Sequence, residues 1–255
     1  CLYCNRKTFK EKSCFCNILL GPTMEENKNP RELIVETLLE KTLVKNQAFE
    51  HTKQTFLLFK SAMQEFVSSF NETFAKLDAP IRIEYKDRGD FEAELAIGDD
   101  LLVFNMHTNI FEFEQGHTVW KSSYLKNEPT AAFCGIISVY NFLADSFKYS
   151  RHDDLGYLIA RIFVNKDNHY LVEGKRQLGF LYNNFVNAVI SAEEVAKILE
   201  SAVLFTLDFD LLVPEYDNVN VITVAQMQEN INSSKTQTAK RLGFAFRADS
   251  NEVEE

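Results

Sequence analysis

Cys134-Gly135 and His169-Tyr170-Leu171-Val172 are the residues of this chain that suit nucleophilic chemistry. Thr130 to Phe147 reads as a helix, with Phe133, Ile136, Ile137, Tyr140, Leu143, Ala144 and Phe147 on one stripe. Cys134 then falls at a helix N-terminus, where the macrodipole lowers a thiol's pKa, and an imidazole opening a strand would take its proton. Only 35 residues separate the two, and Asp208 or Asp217 are the remaining candidates to orient the histidine. The plain alternative is a small apolar core residue, the usual fate of a lone cysteine beside Phe133 and Ile136.

A second constellation is acidic. Glu173-Gly174-Lys175, with Asp153 or Asp154 about twenty residues upstream, has the types of a metal-dependent nuclease, carboxylates holding Mg²⁺ and a lysine polarising the water. A third is the run Cys1, Cys4, Cys14 and Cys16, four thiols that suit tetrahedral zinc, although the last two stand one residue apart instead of two. Glu84, Glu92, Glu94, Glu112 and Glu114 form an acidic sheet face without calcium-loop spacing, a solvated face before it is a metal site. Arg88-Gly89-Asp90 spells an adhesion tripeptide and equally a hairpin turn. His107, His117 and Trp120 flank a loop and are the only hint of a polar aromatic pocket. Neither a phosphate-binding glycine loop nor a nucleophile elbow occurs.

Composition narrows the classes. The 255 residues carry Lys+Arg 27 against Asp+Glu 37, a net charge of −10, which repels nucleic acid unless Lys175, Arg176, Lys235, Lys240, Arg241 and Arg247 gather locally. With 45% apolar residues the chain can bury a core without disulfides, and no run is long enough to span a bilayer. Nor do residues 14–20 make a secretory signal, so a cytoplasmic protein is expected, without a cofactor and without a membrane. Residues 1–23 are basic and Cys-rich against an acidic remainder, and Met24 looks like a start; they are expected to be irrelevant to the fold.

The elements follow from punctuation and period. From the N-cap Asn29 and Pro30 to Pro80 no Gly or Pro intervenes, so residues 24–79 form a long helix or a helical pair. Phe49, Phe56, Met63, Phe70 and Leu77 recur every seven residues, with Phe59 and Phe66 between, making a seam that either packs on the chain's own sheet or dimerises. Residues 80–212 are the α+β core. Ile81, Ile83 and Tyr85 alternate with Arg82, Glu84 and Lys86, and residues 91–97, 101–106 and 110–114 continue an antiparallel meander flanked by helices. Residues 117–130 read as a short strand and loop. Tyr157 to Val164 and His169 to Glu173 form a hairpin, Leu178 to Phe185 a strand or helix start, and Ser191 with Glu194 a capping box for a helix to about Phe209. Thr223 and Gln226 start a C-terminal helix within the segment 213–255, ahead of an acidic tail.

The order helix, meander, helix, hairpin, helix resembles the type III secretion chaperone-like fold, shared with a bacterial family of sensory-transduction regulators. The resemblance is carried by Val139 to Leu143, Phe147-Lys148-Tyr149, Tyr157 to Arg161 and the capped helix 192–208. It implies a non-enzymatic, acidic, often dimeric module that holds another protein. With the seam, this gives the expectation of a homodimer formed through Phe49, Phe56, Phe59, Met63, Phe66 and Phe70, with a further, unidentified partner protein. Cys134 and His169 also look like the Cys and His regions of papain-like peptidases, and Asp154, Glu173 and Lys175 resemble the set of restriction-type nucleases.

Overall fold

The computed structural model describes residues 29–149, 151, 154–208, 221 and 223–225. Cys1, Cys4, Cys14 and Cys16, Asp217 and nearly all of the segment 213–255 lie outside them, as do the expectations that rest on those residues. The chain divides into two units, Cys1–Leu39 and Glu40–Glu255.

Helix α1 runs Pro30–Lys76, the long helix that the absence of Gly and Pro dictates. It starts as expected, with the Asn29 side chain accepting from the Arg31 N–H at 3.1 Å and Pro30 in the first turn. In the first unit Leu33, Ile34, Val35, Leu38 and Leu39 are all exposed. In the second unit the helix turns apolar side chains onto a sheet. Phe56, Phe59 and Met63 are fully buried there and Phe66 nearly so, each contributing roughly 1.5–3 kcal/mol by burial.

The seam therefore packs in cis as far as Phe66. Phe56, Phe59, Met63 and Phe66 are enclosed by their own chain and are not a surface for a partner, while Phe49 packs at the core's margin and Phe70 keeps 40% of its area in solvent. Phe66, Phe70 and Phe74 continue the seam as a ladder of rings, at 4.2 Å and 6.1 Å between centroids.

The sheet has seven antiparallel strands: β1 Ile83–Asp87, β2 Glu92–Ile97, β3 Asp100–Met106, β4 Phe111–Glu112, β5 Phe133–Leu143, β6 Tyr157–Asn165 and β7 Tyr170–Gly174. They lie in the order β1-β2-β3-β5-β6-β7, and β4 pairs with the start of β5. Short helices α2 Ser123–Asn127, α3 Ala144–Lys148 and α4 Gln177–Phe180 fill the connections, and α5 Ala192–Leu207 follows, its Ser191 side chain accepting from the Glu194 N–H as the capping signal requires. One sheet face, with Ala93, Leu95, Leu102, Phe104, Ile137, Val139 and Ile162, shares a core with α1 and α5. The other face carries a smaller cluster around Phe113, Leu125, Cys134, Phe163 and Phe185.

Three expectations are corrected. Residues 133–143, read as helical, are the longest strand. Their apolar residues satisfy both periods, and the alternation of buried and half-buried positions from Gly135 to Leu143 shows that period two wins because both sheet neighbours are supplied by β3 and β6. The middle helix in the order that resembles the secretion chaperones is thus a strand. Residues 117–130 are helical turns instead of a strand, and β4 pairs with β5 instead of extending the meander. Gly135 explains itself in this frame: a Cβ there would lie 2.1 Å from the Thr52 hydroxyl of α1, so the helix crosses β5 where no side chain stands.

Candidate functional site

Cys134 is not at a helix N-terminus but in β5, 1% exposed, with Ala131, Phe163 and Leu171 in its cluster. Burial alone pushes its thiol well above the ordinary range, and the thiol reaches the Ala131 carbonyl at 4.0 Å. His169 lies one hairpin away. Its Nδ1 donates to the Phe185 carbonyl at 3.1 Å and its ring lies against Tyr124. The two residues do come to neighbouring strand ends, since Cys134 faces Asn165 across β5 and β6 and Asn165 accepts from the His169 N–H. A neutral, enclosed thiol and a histidine engaged with a backbone carbonyl do not make a nucleophile and its base.

The buried Asn165 organises this corner. Its amide donates to the Tyr124 hydroxyl (3.0 Å) and the Ala131 carbonyl (3.2 Å), and its oxygen accepts from the Asp167 and His169 N–H groups (2.9 and 3.0 Å). All four hydrogen-bonding sites are filled, which fixes the 165–169 turn.

Asp153 of the second constellation lies outside the described residues, and its other two carboxylates are separately engaged. Glu173 is held by Arg161, its cross-strand neighbour, and by His117 Nε2 at 3.0 Å. Because His117 Nδ1 accepts from the Val119 N–H, the proton sits on Nε2 and the ring donates to Glu173. Asp154 pairs with Arg151 at 2.9 Å and accepts from Ser146 at 2.7 Å. Lys175 is placed by its backbone, whose N–H donates to the Ile159 carbonyl at 3.4 Å. Among the described residues no group of three or more His, Cys, Asp and Glu is arranged to hold a metal ion. The acidic face is also less uniform than its spelling: Glu94 is buried under Arg88 at 2.8 Å, while Glu112 and Glu114 are exposed. Trp120 donates to the Phe113 and Glu114 carbonyls and pins a loop, and His107 caps its own turn by accepting from the Asn109 N–H.

The sites left open are backbone groups. The Arg88 N–H bonds the Glu92 carbonyl across the β1–β2 turn, so Glu84, Lys86 and Arg88 point their peptide groups at β2 while Ile83, Tyr85 and Asp87 point theirs away from the sheet. At Ile83 the Asn71 amide of α1 takes both groups, donating to its carbonyl at 2.9 Å and accepting from its N–H at 3.0 Å, in the place of a neighbouring strand. No such bond covers Tyr85 or Asp87 among the described residues. An open groove of about 440 Å³ lies beside Tyr85, lined by Gln64, Val67, Ser68 and Asn71 of α1 and by Arg82, Ile83, Glu84 and Tyr85. Lys60 of α1 ties down the far end of β1, reaching Asp87 at 2.8 Å and the Gly89 carbonyl at 2.6 Å. Apart from Glu84, which belongs to the acidic sheet face, these residues are not among the candidates that the sequence offers. The available signal was the charge alternation of Arg82, Glu84 and Lys86, a composition that suits an edge strand.

No family model, curated protein or solved structure matches the chain. Among the described residues no helix is long and apolar enough to cross a membrane.

Proposed function

We propose that this chain is a non-catalytic protein-binding module that takes its partner at the β1 edge of the sheet. The observation that carries the reading is the pair of outward peptide groups at Tyr85 and Asp87, the first of them beside an open groove, the arrangement by which an added strand is held through main-chain hydrogen bonds. It is supported by the state of the alternatives: Cys134 is enclosed, and Glu173 and Asp154 are each bound by a cation of their own chain.

The test is a selection of displayed random peptides on the full chain, followed by hydrogen exchange at β1. Selected peptides are expected to slow exchange of the Tyr85 amide and to lose binding to a Tyr85→Pro variant. The amide that this variant removes makes no bond to β2, so the β1–β2 ladder stays intact, and circular dichroism checks that the lost Tyr85 ring leaves the fold in place. Peptides that bind the variant as well as the parent overturn the reading. Rapid alkylation of Cys134 in the folded chain at neutral pH would restore the hydrolase.

A further inference from the structure

We propose that the partner at β1 is a second copy of this chain, its β1 paired antiparallel with β1 about a two-fold axis through Tyr85. The inference rests on the edge reading above and names its occupant.

The strand is complementary to itself. With Tyr85 facing its own copy, Glu84 lies opposite Lys86 of the second chain and Lys86 opposite its Glu84, all four on the sheet face away from α1, and these side chains are exposed. Opposite charges directly across a strand pair stabilise it and like charges destabilise it. A two-fold axis moved one residue either way sets Glu84 on Glu84 or Lys86 on Lys86, so charge selects the register. The hydrogen bonding agrees. Tyr85 presents both its N–H and its C=O, and a hydrogen-bonded antiparallel pair exchanges two such bonds. Beyond the ion pairs Arg82 falls opposite Arg88 of the second copy, whose guanidinium is already held by Glu94 within its own chain.

Asn71 sets the strength of the pairing. In this register Asp87 of the second copy faces Ile83, whose peptide groups Asn71 occupies. Extending the ladder past Tyr85 exchanges two Asn71 bonds for two strand bonds, with no gain in number. Asn71 therefore competes with the second copy, and removing it tightens association.

Sedimentation of the full chain tests this, as wild type and as Glu84→Lys and Lys86→Glu, alone and mixed. The wild type is expected to move from 29.4 kDa toward twice that mass as concentration rises. Each single substitution turns both ion pairs into like-charge pairs and weakens association about tenfold or more. Mixing the two variants restores it, because one chain then offers two lysines and the other two glutamates. The chain carrying both swaps associates as the wild type does, which guards against a single variant that folds poorly. Single variants that associate like the wild type, or a mixture of folded variants no tighter than either alone, overturn the register. A wild type that stays monomeric while selected peptides still protect Tyr85 overturns self-pairing alone. A Tyr85 amide that nothing protects overturns the edge reading with it.

Discussion

The two edges of the sheet are finished differently. At β7 the chain returns over its own edge: the Tyr170 N–H bonds the Ala188 carbonyl at 3.2 Å, the Val172 N–H bonds Tyr182 at 3.0 Å, the Ile190 N–H bonds Asn168 at 2.9 Å, and His169 bridges Val189. Behind that edge stands Asn165 with all four bonds made. At β1, among the described residues, one side chain, Asn71, covers Ile83, and the next two outward-facing residues, Tyr85 and Asp87, are left without such a bond. An exposed edge is a template for pairing that proteins otherwise cover, twist or charge. Among the described residues one edge is closed by the segment 182–190 and the other is guarded by a single side-chain amide.

The largest effect is expected at the closed edge. Asn165→Ala removes four hydrogen bonds at a largely buried corner, leaving the buried Ala131 carbonyl and the His169 N–H without this partner while the Tyr124 hydroxyl keeps Asp167, and should lower unfolding free energy by about 2–4 kcal/mol in urea titration. An effect below about 1 kcal/mol would break the contrast, since the β7 turn would then hold without it. Asn141 sharpens it from the middle of the sheet. It is fully buried, between Leu102 and Tyr157 in the ladder, and among the described residues neither its amide nor its oxygen finds a partner. Asn141→Leu is expected to raise stability by about 1–3 kcal/mol, and a loss would show that the amide is satisfied in solution.

At the open edge Asn71→Ala removes two partly exposed bonds, a cost of about 1 kcal/mol in dilute solution, while tightening the dimer in sedimentation. Weaker association would contradict the competition drawn above. The smallest effect is electrostatic. The Lys60 ammonium, and next the Gly89 N–H, hold the Asp87 carboxyl below the ordinary value of 3.8. A carboxylate with a depressed folded pKa contributes stability that is complete above the unfolded value and lost as pH falls through the folded one. The Asp87 contribution at β1 is therefore present at neutral pH and disappears in acid below 3.8. Lys60→Met should return Asp87 toward its ordinary titration by NMR; an unmoved titration would show that Gly89 alone holds it.

Much of the frame was legible. The N-cap at Asn29, the long helix, the first three strands, the 165–168 turn and the capped helix after Ser191 each follow from a local signal of a few residues, and each is present. β5 was not legible, because Ile136, Ile137, Tyr140 and Leu143 fit a helical stripe as well as a strand, and only the neighbours β3 and β6, brought from elsewhere in the chain, decide between them. The candidate site failed for a related reason. Cys134, His169, Asp154 and Glu173 stand out by residue type, while their availability depends on burial and on cations and carbonyls that the fold delivers. What remains open at β1 is main chain, which residue type does not record, and Asn71 stands twelve residues from the Ile83 it covers.

Residue-resolved hydrogen exchange of the full chain in dilute solution compares the edges in one measurement. The Tyr85 amide should exchange close to the rate of an unprotected peptide while the Val172 amide exchanges orders of magnitude more slowly. A Tyr85 amide as protected as Val172 at the lowest concentration would mean that the β1 edge is already covered by its own chain.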